Sequence, residues 1–353
     1  MNMTLTIGSL CTGIGGLEHG LTLAGLDTHP VFVSDIDRGA CAWLEANSTA
    51  PNLGDFTALE ELPPVDILTA GFPCQPLSLA GERKGLDDDR WLFDDICRLV
   101  SRMGTRPVLF LENVPGLLTA NGGHAMAAVV SGLAAIGYSL DYGTLEAAAV
   151  GAPHQRRRWW GVARHASHVH EKWGVVGSGG NRRPSAPPRG ANRVAQNTDG
   201  ESWRALPGAA SRQTQSGRPR PDIGRRSGTF ATDADSARQQ SERVAGSDAA
   251  AVARFASAAE TNRARFGQYA AAVTRWEHVT GCPAPDPVTD DKLSPHFVEW
   301  MMGYPAGWVT DTLTSRRQAL HALGNAVVPQ CAAEAFTQLL QRADTVSEIV
   351  PAG

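Results

Sequence analysis

The sequence predicts an α/β fold: a mostly parallel sheet with helices on both faces and a smaller domain inserted late in the chain. Three observations predict it. Short apolar runs rich in β-formers alternate with segments of helical spacing, the pattern of successive strand–helix units. A glycine-rich turn, Gly13-Ile14-Gly15-Gly16, joins the first such run to the first helical segment. Over about residues 166–292 the composition shifts to Gly, Ser, Arg, Pro and Ala with few apolar runs, and apolar character returns from Leu293.

Length and composition set the bounds. A chain of 353 residues, 42% apolar, can hold one large or two medium domains. The net charge of −4 does not advertise nucleic-acid binding, but it averages over regions that differ. The lysines are Lys84, Lys172 and Lys292, so the positive charge is nearly all arginine. Arginine suits bidentate contacts to phosphate and guanine, and codon bias would give the same composition. Cys11, Cys41, Cys74, Cys97, Cys282 and Cys331 are scattered without a Cys-x-x-Cys pair, which indicates neither a metal site nor a disulfide framework. The N-terminus has no basic segment followed by an apolar one, and no run is long enough to span a membrane. A soluble, cytoplasmic protein is expected.

Taken in order, Leu5 to Leu10 is the first expected strand, and Leu17 to Leu21 opens the first helix after the glycine turn. Such a turn lets a cofactor approach the backbone closely. Pro30 to Ser34 is the next strand. It ends at Asp35, placed either to bind ribose hydroxyls or, with Asp37, to cap a helix over Arg38 to Asn47. Gly54-Asp55-Phe56 offers an adenine contact, Asp55 by a hydrogen bond and Phe56 by packing, or an ordinary loop turn. Val65 to Ala70 is a buried strand that runs into Gly71-Phe72-Pro73-Cys74-Gln75-Pro76-Leu77-Ser78. Pro73 and Pro76 fix the backbone on either side of Cys74, which suits a presented nucleophile better than a core residue. The polar, glycine-hinged stretch from Leu79 to Trp91 has the composition of a mobile active-site loop or of a solvated surface loop.

Leu92 to Met103 has amphipathic helical spacing, and Arg106 to Leu111 is a strand ending at Glu112-Asn113-Val114. A carboxylate at the carboxyl end of a buried strand lies where open α/β sheets place their ligands, and burial raises its pKa. Pairing with an arginine for structure is equally compatible. A helix over Ala125 to Ile136 and strands over Tyr138 to Glu146 and Gln155 to Val162 follow. Strand alternation puts Arg156 and Arg158 on one face and Arg157 on the other. Two converging arginines suit an anionic or electron-rich substrate; a basic edge strand is the alternative. The arginine-bearing region 166–292 reads either as a module that grips a phosphate backbone or as a disordered insert, with helical spacing from Ala249 to Val279. Finally, Gly324-Asn325, a cap or a cofactor contact, leads into a helix through Leu340.

The glycine turn, the Gly71 to Ser78 stretch, Glu112-Asn113-Val114, the Arg156/Arg158 pair and Gly324-Asn325 occur in one order, with an ill-matched segment before the last. This set resembles the DNA (cytosine-5) methyltransferase family over about 1–165 and 293–345. The resemblance implies an S-adenosylmethionine-dependent, Rossmann-like methyltransferase fold. Residues 1–165 would form a catalytic and cofactor domain, 166–292 a target-recognition domain, and 293–353 would return to the catalytic domain, its helix packing beside the first strand. It implies that Cys74 adds to carbon 6 of a flipped cytosine, that Glu112 acts as a neutral acid toward ring nitrogen 3, that Asn113 orients the site, and that Arg156 and Arg158 hold the base. Ile14, Gly16, Asp35, Ile36, Asp55, Phe56, Pro73, Leu92 and Asn325 would line the S-adenosylmethionine pocket. Gln75, Ser78 and Arg90 would meet DNA. No metal is called for. Double-stranded DNA is the implied partner, a cognate restriction endonuclease an open one, and the monomer the expected state. Three positions depart from the family's usual pattern: Cys11 and Ile36 stand where an aromatic is common, and His154 where Gln is. An RNA cytosine methyltransferase and a catalytically silent DNA-binding protein are the rival readings.

Overall fold

The computed structural model describes residues 4–73, 91–168 and 260–349. Two compact units divide the chain, Met1–Ala205 with Arg275–Gly353, and Leu206–Thr274. Most of the region 166–292 therefore lies outside the described residues. Its described part includes a helix over 260–266, a 3-10 turn at Gly267–Tyr269 and a helix, α5, over Ala270–Thr280. The long helix expected from Ala249 is thus interrupted, at a glycine with φ of 53°.

The first unit is built on β1 (Leu5–Leu10), β2 (Thr28–Phe32), β3 (Ile67–Gly71), β4 (Val108–Asn113), β5 (Tyr138–Glu146) and β6 (Arg157–His165). Around them lie α1 (Gly16–Leu23), α2 (Arg38–Asn47), α3 (Phe93–Arg102), α4 (His124–Ala135), α6 (Pro295–Met301), α7 (Arg316–Asn325) and α8 (Pro329–Ile349). The sheet order is β2-β1-β3-β4-β6-β5. Four neighbours from β2 to β4 are parallel, while β6 runs antiparallel to both β4 and β5. The chain steps from β1 out to β2 and then back across to β3. This switch point opens a crevice beyond the carboxyl ends of β1 and β3.

Packing explains the pattern. All six residues of β4 are buried, as a strand covered on both faces requires. Alternation sends Leu109 and Leu111 into a core shared with Phe93, Ile96 and Val129 of α3 and α4. Phe110 points the other way, stacked on Trp160 at 5.8 Å and edge-on to Phe336 of α8 at 5.1 Å. A Cβ on Gly20 of α1 would collide with that of Ala332, so only glycine lets α1 and α8 approach this closely. α8 packs on α1 and on β5 and β6 rather than beside β1, where the sequence reading put it.

Several ends also shift. β2 starts at Thr28 and stops at Phe32, because Val33 turns away to bridge Asn52. β4 continues through Asn113, so Glu112 and Asn113 belong to the strand. β6 begins at Arg157, since Glu146–Arg157 is the outermost rung of its ladder with β5. Gly324 and Asn325 close α7 instead of preceding α8 directly. Among the described residues no helix is long and apolar enough to cross a membrane.

Candidate active site

On one side of the crevice, the carboxyl ends of β1 and β2 build a rigid polar rim. Cys11, Gly13 and Gly15 all have left-handed backbone, with φ of 52°, 60° and 71°. The Gly13 amide donates to Asp35 Oδ2 at 2.7 Å, and the Asp37 amide to Asp35 Oδ1 at 2.9 Å. Asp35 therefore ties β2 to the glycine turn, while Asp37 caps α2 by accepting from Gly39 and Ala40. Asp55 accepts from the amide and hydroxyl of Thr57 at 3.0 and 2.7 Å, and Phe56 is buried in the core. Burial and then the carboxylates of Asp35 and Asp55 push the Cys11 thiol up to about 12. A Cβ on Gly13 or Gly54 would meet nothing within 4 Å, and Ile36 is 71% exposed beside Asp35. Ile14 is buried, and Gly16 starts α1 against the Tyr304 hydroxyl.

On the other side, β3, β4 and β6 bring ionisable groups together. Glu112 is paired in register with Gly71 of β3 and with Trp160 of β6. Arg158 Nε lies 3.0 Å from Glu112 Oε1. Burial nevertheless dominates and raises the Glu112 carboxyl to about 7, against the opposing pull of Arg158 and Arg156. Acid and ion pair thus coexist in one residue. Asn113 is buried, donates to Phe72 O at 3.0 Å and accepts from the Val114 amide at 2.8 Å. It fastens the end of β4 to the chain that leads into Cys74. Arg157 points the other way and pairs with Glu146 at 2.8 Å, as strand alternation requires. Arg156 donates to the carbonyls of Gly324 and Ala326. His154 is held neutral near pH 7, its pKa lowered to about 4 by burial and by Arg156 and Arg158. Both its ring nitrogens are buried without a partner among the described residues.

A model of the C-5 cytosine-specific DNA methylase family matches residues 5–341. The chain belongs to that family. It is 36% identical over 165 residues to the type II methyltransferase M.MspI of Moraxella sp, a match covering 46% of this chain and 39% of that protein. It is 37% identical over 158 residues to M.BsuFI of Bacillus subtilis, covering 44% and 38%. The matches therefore span well under half the length of these relatives. The crystal structure of S. pombe Dnmt2 methyltransferase shares the fold, with TM-score 0.52 and 16% identity over 96% of this chain and 99% of that one. The sheet is that of S-adenosylmethionine-dependent methyltransferases.

In this methylase-family chain, Cys74, Gln75, Ser78 and Arg90 lie outside the described residues. Pro73 and Leu92 flank that interval, both half-buried, with Leu92 at the start of α3. Asn325 is exposed at the end of α7. The sequence reading missed three contributors. Glu18 accepts from the Thr69 hydroxyl of β3, its carboxyl pushed up by burial. Trp308 donates its indole N–H to Ile14 O at 2.9 Å and accepts at its carbonyl from Trp43. Glu299, 1% exposed, accepts from the amides of Gly307, Val309 and Thr310 and from the Thr310 hydroxyl. An acid inside the aromatic run from Phe297 to Trp308 was the available signal for Glu299. Nothing local marks which turn it organises.

Proposed function

We propose that this chain is a sequence-specific DNA cytosine-5 methyltransferase. The observation that carries the reading is Glu112, an acid raised to about 7 at the carboxyl end of β4, braced by Arg158 and in register with the strand that runs into Cys74. Near neutral pH much of it is protonated, the form that can donate to ring nitrogen 3 of a cytosine. The Cys74 thiolate adds to carbon 6 of a cytosine flipped from the duplex, and the charge this places on the ring is met by Glu112 and Arg158. Asn113 holds the backbone before Cys74 against β4. Loss of the carbon 5 proton and elimination of Cys74 release the product.

The crevice fits S-adenosylmethionine. There is open space over Gly13 and Gly54, carboxylates at Asp35 and Asp55 for polar atoms, and the exposed apolar face of Ile36 for a base. Ile14, Gly16, Phe56, Pro73, Leu92 and Asn325 complete its proposed lining. S-adenosylmethionine, when bound, supplies the methyl group for carbon 5 from a sulfonium that needs no metal. Gln75, Ser78 and Arg90 contact double-stranded DNA in this reading, and residues 166–292 recognise the target. A cytoplasmic monomer that protects DNA from a cognate restriction endonuclease fits the type II relatives.

The test is base-resolution cytosine-methylation sequencing of DNA from a methylation-free bacterial host expressing the protein, with Cys74→Ala as control. Methylation within one short motif, absent from the control, is expected. Unmethylated DNA from soluble wild-type protein, or methylation surviving in the control, overturns the reading.

A further inference from the structure

Arg156 lies just before β6 and Arg158 within it, and their guanidinium groups do different things. Arg158 pairs with Glu112. Arg156 Nη2 instead donates to Gly324 O at 2.9 Å and to Ala326 O at 2.5 Å. These carbonyls belong to the last turn of α7 and its cap, where helix carbonyls lack intrahelical donors and the dipole end is negative. Asn325 stands between them. One residue further, Val327 O accepts from the Tyr304 hydroxyl at 2.9 Å, and that hydroxyl lies against Gly16 at the start of α1. Residues 324–327 are thus clamped twice, by a cation from just before β6 and by a phenol that also walls the glycine turn.

We propose that Arg156 is a positioning residue: it clasps the Gly324–Val327 turn against the glycine-rich start of α1 and so sets affinity for S-adenosylmethionine, rather than contacting the flipped base. The inference rests on the proposed cofactor crevice and deepens it. Charge-assisted bonds to two carbonyls are the strong kind, so their loss leaves both acceptors short of a donor and the turn free to drift. Asn325 then loses its fixed place.

The experiment is calorimetric titration of S-adenosylmethionine into DNA-free protein, for the wild type, Arg156→Ala, Arg156→Lys and Arg158→Lys. Arg156→Ala is expected to weaken binding about tenfold or more, with Arg156→Lys between it and the wild type and Arg158→Lys unchanged. In steady-state methylation, KM for S-adenosylmethionine rises in step while kcat at saturation stays within about threefold, because a positioning defect is relieved by mass action. Unchanged affinity in Arg156→Ala with kcat lost would assign Arg156 to the base and overturn the clasp. If Arg156→Ala does not fold, Arg156→Lys decides by the same criteria. Hydrogen exchange of amides 320–328, measured without ligand, separates this from the parent reading. Faster exchange there in the Arg156 variants supports the clasp even if the wild type fails to bind S-adenosylmethionine; wild-type protection overturns it.

Discussion

Glu112 joins two properties that the sequence reading held compatible, an arginine partner and a raised pKa. The second follows from its strand being buried on both faces, so desolvation outweighs the Arg158 pair. A pH dependence of stability follows. The folded carboxyl keeps its proton up to about 7, whereas an ordinary one releases it near 4.5. The folded state therefore binds this proton more tightly, and the stability it contributes is complete below 4.5 and lost as pH rises through about 7. Glu112→Gln removes that dependence, so its stability relative to the wild type should rise by on the order of 2–3 kcal/mol between about pH 5 and about pH 8. Methylation should fall at least about a hundredfold, since an amide can donate a hydrogen bond but is too weak an acid to transfer a proton. Urea denaturation at both pH values checks the first part, and parallel profiles would count against it. Arg156 was less legible. Alternation was applied to it although it precedes β6, and its acceptors lie 168 and 170 residues away with no local pattern to encode them.

At the level of elements, type was read better than extent. Strand and helix identities over 5–165 follow from period and composition, and α2 matches its expected bounds because Asp37 marks its start. Ends miss by a few residues wherever a ladder partner decides them, as at β4 and β6. The segment 295–313 was legible only as apolar and aromatic, because its shape is imposed by one buried carboxylate. Glu299 gathers three amides and a hydroxyl, and the turn it shapes presents Trp308 to both Ile14 and Trp43. Glu299→Gln keeps the size but removes the charge and sets an NH2 group against an N–H donor. We expect a loss of about 2–3 kcal/mol, read as a lower urea midpoint at unchanged slope. A cost below about 0.5 kcal/mol, the range of an ordinary surface substitution, would show that the turn holds itself without the carboxylate.

For the whole molecule, the order of folding units is not the order of the sequence. The sheet is complete by His165, yet one of its faces is closed by residues more than a hundred positions later. Phe336 covers Phe110, and Leu339 and Leu340 are fully buried in the same helix, α8. Burying a Leu or Phe side chain contributes about 1.5–3 kcal/mol. These three together approach the net stability of an ordinary domain, about 5–15 kcal/mol. Trp308, bonded to Ile14 and Trp43, and the Arg156 bonds add polar links between the same two stretches of chain. Residues 1–205 without 275–353 should therefore fail to fold and accumulate as aggregate, because the Phe110 and Trp160 face is left in water. Supplying 275–353 as a separate, tagged polypeptide in the same cells should restore a soluble one-to-one complex, since the links between the two pieces are side-chain contacts that need no peptide bond. Affinity capture of the tag, followed by a thermal melt of the complex, reads the outcome. If 1–205 alone is soluble and melts cooperatively, the sheet is self-sufficient and the C-terminal stretch is not part of its core.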